Sequence, residues 1–292
     1  MASQVHFPRL ALLGVGYIGG SAALAARRAG IVGEVVGYDR LAAAAQAATR
    51  LGVIDRSVAS AEAAVAGASL VLLAAPVRAM DALLRAIAPA LDAAATVIDV
   101  GSVKAGIAAA AEAALPDGRF IGCHPMAGAE FSGAEAAVPD IFAGRVCFVC
   151  PGKRAQETAL LAAHEFWRAI GCRTVAIEPD VHDRLMAAQS HLPHVASFAL
   201  AGALASALPF LEATTTIASP TTSLRDTTRI AASGPAVWRD ILLANASNVL
   251  PLIQELEMRV AEIKSAVAAG DGAALERILA EAQSCRKRLV KE

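Results

Sequence analysis

The sequence predicts an α/β protein in which a doubly wound, mostly parallel sheet fills the N-terminal part and an all-helical domain follows it. Three observations carry this reading. Up to Ile177, short apolar runs alternate with longer stretches of helical pattern, the arrangement of a parallel sheet covered by helices on both faces. The early runs lack polar alternation, as strands buried on both sides do. From Pro179 onward, no run reads as a strand.

The elements follow in order. Residues 9–13 read as a strand, 18–29 as a helix, 34–38 as a strand and 41–51 as a helix. A buried strand at 70–74, a helix at 80–91, a strand at 96–100 and a helix at 103–115 continue the alternation. Strands at 120–123, 145–149 and 173–177 complete the sheet, with a helix at 154–170 between the last two. Beyond them 181–208, 235–269 and 272–290 read as helices, broken at Pro209, Ser219-Pro220, Ser233-Gly234-Pro235 and Gly270-Asp271-Gly272. The domain boundary is expected at Glu178-Pro179, giving domains 1–178 and 179–292.

Composition narrows the classes. The 292 residues suffice for two ordinary domains. The chain is 56% hydrophobic yet only 4% aromatic; the excess is alanine, the best helix former, which favours close-packed helices. A net charge of -1 offers no positive field for nucleic acid or an anionic membrane, so neither partner is expected. The mean hydropathy of +0.51 raises the question of a membrane span. A span needs about 20 predominantly apolar residues. The charge-free stretch 185–211 is interrupted by Gln189, His191, Pro193, His194 and Pro209, and reads instead as a buried helix of a soluble domain. The N-terminus lacks the basic start, apolar run and cleavage site of a secretory signal, so a cytoplasmic location is expected. Five scattered cysteines do not make a disulfide framework. Cys147 and Cys150 form a C-x-x-C at a predicted strand, where residues three apart face opposite sides, and no second pair completes a metal site. No metal is expected.

The strongest local motif is Gly14-Val15-Gly16-Tyr17-Ile18-Gly19, which follows a predicted strand and opens a predicted helix. That context makes it a Rossmann-type dinucleotide fingerprint. Gly14 would make the tight turn, Gly16 let the backbone approach a pyrophosphate, and Gly19 let helix pack on strand. The helix start at Tyr17 and Ile18 would turn backbone N–H groups and a partial positive charge toward the phosphates. Asp39 ends the next strand, 20 residues past Gly19. Its carboxylate can accept from a ribose diol and would repel a 2′-phosphate, which favours NAD over NADP. Arg40 beside it could instead receive that phosphate, and a plain strand-end cap is the alternative role for Asp39.

Four further segments stand out: Asp99-Val100-Gly101-Ser102-Val103-Lys104, Gly122-Cys123-His124-Pro125-Met126-Ala127-Gly128, Ser190-His191-Leu192-Pro193-His194 and Arg225-Asp226-Thr227-Thr228-Arg229-Ile230. The first two lie just past predicted strand ends, where ligands of doubly wound sheets bind. There the hydroxyl of Ser102 and the imidazole of His124 would meet a nicotinamide. Together with residues 14–21 and Trp238-Arg239-Asp240, these segments resemble the prephenate dehydrogenase family, which includes arogenate and cyclohexadienyl dehydrogenases. The resemblance runs from about Leu10 to Asn245.

The resemblance implies a Rossmann domain plus a helical domain that forms a homodimer. It implies NAD-dependent oxidative decarboxylation of a cyclohexadienol in tyrosine biosynthesis. One group must take the hydroxyl proton as the ring becomes aromatic. His124 matches the family's catalytic histidine; an imidazole can be neutral and accepting at working pH. Ser102 matches the hydroxyl that orients this proton-taking contact. Arg229 matches an arginine expected to hold a substrate carboxylate with its planar fork. Arg225 stands where relatives also carry a basic residue. His194 matches a pocket-lining histidine, and Glu130 an acid at the pocket mouth, although Ala129 replaces a threonine that many relatives carry. His191 is open between a structural role and a substrate contact, and Trp238 reads as a packing residue.

Prephenate is the favoured substrate, with arogenate or dual specificity as the alternative. A hydroxyacid dehydrogenase of similar build would use a lysine in its helical domain, and 181–208 contains none. A non-enzymatic redox sensor would need neither His124 nor Arg229. At this length no fused regulatory domain or mutase is expected.

Overall fold

The computed structural model describes residues 6–128, 133–214 and 220–290. Eight strands form one sheet: β1 (Phe7–Leu13), β2 (Val32–Tyr38), β3 (Arg56–Ser57), β4 (Leu70–Leu73), β5 (Thr96–Asp99), β6 (Phe120–Pro125), β7 (Val146–Pro151) and β8 (Arg173–Ala176). Their order is β3-β2-β1-β4-β5-β6-β7-β8. All neighbours are parallel except β6 and β7. The first six strands thus have the order of a dinucleotide-binding doubly wound sheet, whose direction of growth reverses between β1 and β4.

Alternate residues of each strand feed two cores. Leu10, Leu12, Leu70, Leu72, Ile98, Ile121, Cys147 and Val149 pack with α1 (Tyr17–Arg28) and α6 (Glu157–Ala169), whose Phe166 and Trp167 are fully buried. Ala11, Leu13, Val71, Leu73 and Val97 pack on the other face with α3 (Ala61–Val65), α4 (Met80–Ile87) and α5 (Ala105–Ala114). α2 (Ala42–Arg50) adds Ala45 and Ala48 to the first core. Every residue of β4 is buried, as its unbroken apolar run requires. The thiols of Cys147 and Cys150 are free and buried.

Two short elements, β3 and α3, escape the sequence pattern because two and five residues are too few to show a period. β6 also runs further than expected. Its parallel ladder with β5 stops at Ile98↔Ile121, but its antiparallel ladder with β7 continues to Pro125↔Cys147. His124 therefore lies on the strand, opposite Phe148, and not past its end.

After β8 the chain enters α7 (Pro179–Met186), a single π-helical turn (Ala187–His191), α8 (Leu192–Ala203), a 3₁₀ turn (Leu204–Ala207) and α9 (Leu208–Thr214). The helix is continuous over Pro179–Glu212, without the expected break at Pro209. Proline is tolerated in the first turn of a helix, and both internal prolines fall there: Pro193 just after the π turn and Pro209 just after the 3₁₀ turn. This helix is long and apolar enough to cross a membrane. The expected burial is not observed, since much of α8 and α9 is uncovered in the single chain and Phe210 is 70% exposed.

α10 (Thr222–Thr228) and α11 (Pro235–Ala244) follow, and the helix expected over 235–269 divides at Asn245 before α12 (Ala246–Ala269). By packing, the chain has two compact units, Met1–Asn245 and Ala246–Glu292, and the expected boundary at 178/179 lies within the first. In the second unit, α12 and α13 (Gly272–Leu289) meet across a turn where Gly270 has φ +66° and Asp271 accepts from the Ala274 N–H at 2.9 Å.

Candidate active site

The glycine turn sits where β1 and β4 diverge. Gly14 has φ +97°, and a Cβ there would lie 2.5 Å from the Ala74 oxygen, so only glycine fits. A Cβ on Gly19 would lie 2.6 Å from the Ala74 Cβ, which is the close helix–strand packing expected of it. A Cβ on Gly16 would meet nothing within 4 Å. Gly16 faces open space and gives α1 no side-chain cap, so this helix start can receive an anion. Tyr17 and Ile18, the first helical residues, are half-buried at its rim.

Asp39 closes the turn. Its Oδ2 accepts from the Val15 N–H at 3.1 Å and its Oδ1 from the Leu41 N–H at 2.9 Å. The capping role is therefore real, yet a carboxylate has about four acceptor sites, and two remain for a ribose diol. Arg40 is exposed and has no ion-pair partner among the described residues. An open glycine, an uncapped helix start and a half-buried carboxylate 20 residues on fit a dinucleotide.

His124 is held by its own backbone. Where the β5–β6 ladder ends, side chains replace it. Asp99 Oδ1 accepts from the Cys123 N–H at 2.8 Å, and Lys104 Nζ donates to the Cys123 carbonyl at 2.8 Å. Lys104 Nζ also pairs with Asp99 Oδ2, which accepts from the Gly101 N–H at 2.8 Å. Both side chains are almost completely buried, so pairing and full hydrogen bonding are obligatory. Gly101 and Gly122 make room: a Cβ on either would lie about 3.3 Å from the Lys104 side chain.

The His124 ring meets a second histidine. Its Nδ1 lies 2.9 Å from His182 Nε2, and His182 Nδ1 lies 2.8 Å from Asp183 Oδ1. Asp183 caps α5, accepting from the Lys104 N–H at 2.7 Å and the Ala105 N–H at 2.9 Å. Burial holds the His124 pKa well below the ordinary histidine range, aided by His182, Lys104 and His191. His124 is thus neutral near pH 7, and its Nε2 has no partner among the described residues. Sequence reasoning missed His182 and Asp183. No local motif marks them, because their partners lie 58 and 79 positions away.

His194 stacks on Trp238, with centroids 3.6 Å apart and planes at 20°. Its Nδ1 donates to the Ser190 carbonyl at 2.8 Å, which leaves Nε2 as the accepting nitrogen. Burial lowers its pKa, the Ser190 bond opposes this, and the nearby Arg229 charge lowers it further. Trp238 therefore orients a site histidine as well as packing. His191 is buried, with its Nδ1 3.0 Å from Asn245 Nδ2, which also donates to the Asp183 carbonyl at 2.8 Å. Burial pushes its pKa down to about 4. The π turn thus sets His191 inward as a structural group, while His194 lies one helical turn further on.

Arg225 and Arg229 are exposed, and among the described residues neither has an anionic partner. Ser102 is half-buried after β5 and makes no hydrogen bond among the described residues, while the ring of His124 meets His182. Glu130 and Ala129 lie outside the described residues.

Comparison with known proteins agrees with this geometry. The model of the prephenate dehydrogenase nucleotide-binding domain matches residues 22–176, and that of the prephenate dehydrogenase dimerization domain matches residues 178–281. The chain is 33% identical over 280 residues to the cyclohexadienyl dehydrogenase of Zymomonas mobilis, spanning 96% of this chain and 95% of that protein. It is 31% identical over 277 residues to the prephenate dehydrogenase of Bacillus subtilis, spanning 94% and 74%. The crystal structure of prephenate dehydrogenase from A. aeolicus in complex with hydroxyphenyl propionate and NAD+ superposes with a TM-score of 0.82 at 30% identity, over 97% of this chain and 98% of that one. A doubly wound sheet with a dinucleotide turn, a half-buried histidine at its carboxyl edge and two adjoining family matches lead to one conclusion: the chain belongs to the prephenate dehydrogenase family.

Proposed function

We propose that the chain catalyses the NAD-dependent oxidative decarboxylation of prephenate to 4-hydroxyphenylpyruvate, a step of tyrosine biosynthesis. The observation that carries this is His124: a neutral imidazole whose Nε2 has no partner among the described residues, fixed at the carboxyl edge of a dinucleotide-binding sheet. When bound, NAD+ supplies the acceptor for the hydride that leaves the hydroxyl-bearing ring carbon. Gly14, Gly16, Gly19 and the start of α1 at Tyr17 and Ile18 hold its pyrophosphate, and Asp39 holds its adenosine ribose.

The remaining work falls to the chain's own side chains. His124 Nε2 takes the hydroxyl proton as carbonyl character develops. Ser102, whose hydroxyl is unengaged among the described residues, contacts the same oxygen. Arg229 receives a substrate carboxylate, supported by the His194–Trp238 stack, while Arg225 adds positive charge and Glu130 lines the mouth. Residues 1–178 serve the cofactor, and 179–292 serve substrate and assembly.

We also propose a homodimer. The helix Pro179–Glu212 leaves Leu200, Leu208 and Phe210 uncovered, and within α12 and α13 Met258, Val260, Val267 and Leu279 are exposed. A second copy would bury such surface, and the matched C-terminal model is that of a dimerization domain. The direct test is NADH formation with prephenate and with L-arogenate in parallel. Turnover of prephenate with the higher kcat/KM is expected, and absence of NADH with both substrates would overturn the assignment.

A further inference from the structure

His182 and Asp183 are fully buried behind His124, and the chemistry above does not use them. We infer that His182, steered by the Asp183 carboxylate, is a positioning residue that holds His124 in the tautomer carrying its proton on Nδ1 and its lone pair on Nε2. This deepens the proposed function and rests on it for the identity of the reacting alcohol; the tautomer itself does not depend on it.

The direction of each bond follows from the one end that cannot be reversed. Backbone N–H groups only donate, so Asp183 Oδ1 and Oδ2 accept from Lys104 and Ala105, at 2.7 and 2.9 Å. The start of a ten-residue helix further favours a carboxylate there. The same Oδ1 lies 2.8 Å from His182 Nδ1, which therefore carries a proton. With that as the only proton on the His182 ring, its Nε2 is a bare lone pair, and His124 Nδ1, 2.9 Å away, donates to it. The basic nitrogen of His124 is then Nε2, which no described residue occupies.

An imidazole left to itself exchanges between two tautomers, and in one of them Nε2 cannot accept. Here the choice is made by a chain that begins in backbone amides and so cannot flip. Asp183 contributes again during turnover. When the substrate O–H bond breaks and an N–H bond forms at His124 Nε2, the electron pair stays on the substrate oxygen. The new positive charge then lies one imidazole away from a buried carboxylate. The π turn adds a brace, because Asn245 ties the Asp183 carbonyl to His191.

The experiment is nitrogen-15 NMR of the histidine rings in the uniformly labelled protein, without substrate, combined with kinetics of two variants. The chain has six histidines, so His124 can be assigned by loss of its signals in His124→Asn. In the wild type, Nδ1 of His124 is expected to be protonated and Nε2 bare. His182→Leu removes the acceptor: a mixed or reversed tautomer is expected, with kcat reduced roughly 10²- to 10³-fold and KM changed less than about threefold, inside the range of about 10²- to 10⁴-fold that general base catalysis supplies. His182→Gln restores an acceptor oxygen and is expected to recover the wild-type tautomer and most of kcat. A proton on Nε2 in the wild type, or full kcat in His182→Leu, would overturn the inference. If His182→Leu does not fold, the wild-type spectrum and His182→Gln still decide it. Should prephenate prove not to be oxidised, the spectrum remains readable, so the two failures are distinct.

Discussion

Arg229 and Asp39 are proposed to act on binding, and their effects should then separate from those of the proton-taking group. An arginine–carboxylate bond contributes about 1.5–3 kcal/mol, used equally in ground and transition states. Arg229→Ala is therefore expected to raise KM for prephenate roughly 10- to 150-fold while kcat changes little. A fall confined to kcat would mean that Arg229 touches the reacting centre instead. Asp39 holds two backbone N–H groups and would face a 2′-phosphate, so NAD is expected to give the higher kcat/KM, and Asp39→Ser to narrow its lead over NADP. Wild-type kcat/KM with NADP equal to that with NAD would show that the exposed Arg40 outweighs Asp39. Residues that sit in motifs were legible from sequence: Gly14, Gly16 and Gly19 fall where their roles require. His182 was not legible, because its meaning arises only when α7 is laid against β6.

At the scale of elements, the strut between β5 and β6 and the π turn carry the site. Lys104 and Asp99 replace the missing ladder around Cys123, so removing one partner leaves the other charge buried. Lys104→Met is expected to cost about 3–5 kcal/mol of stability, read as a lower denaturant midpoint. An unchanged midpoint would show that the pair contributes nothing. The π turn makes stability pH-dependent. His191 has a pKa near 4 in the fold against an ordinary histidine value of 6.5, so the unfolded chain binds more protons between these values. Stability then rises with pH across that window and is lost as pH falls from about 6.5 to about 4, by at most about 3 kcal/mol from this residue. Urea titrations at pH 7 and pH 5 should show a smaller difference in His191→Asn than in the wild type. Equal differences would place the effect elsewhere. Helices and buried strands of ordinary length were readable from periodicity. The extension of β6 and the passage of one helix through Pro193 and Pro209 were not, since each depends on a neighbouring strand or a local change of helical pitch.

For the whole molecule, the sequence pattern was sufficient to read a doubly wound sheet followed by helices, because alternation and the glycine turn are properties of the chain itself. The Pro179–Glu212 helix departs from its expected burial, since the described residues of its own chain leave much of it uncovered, as the proposed dimer would require. Light scattering of the intact protein at micromolar concentration is expected to give twice the 29.8 kDa chain mass, and a value equal to one chain would contradict the dimer. The central claim, that a family dehydrogenase uses His124 as its base, is tested most directly by steady-state kinetics of His124→Asn with prephenate and NAD. Asparagine keeps a hydrogen-bonding group but cannot accept the proton. The account predicts a kcat reduced about 10²- to 10⁴-fold with KM for prephenate nearly unchanged. A kcat within a few-fold of the wild type would contradict it, since another group would then be taking the proton.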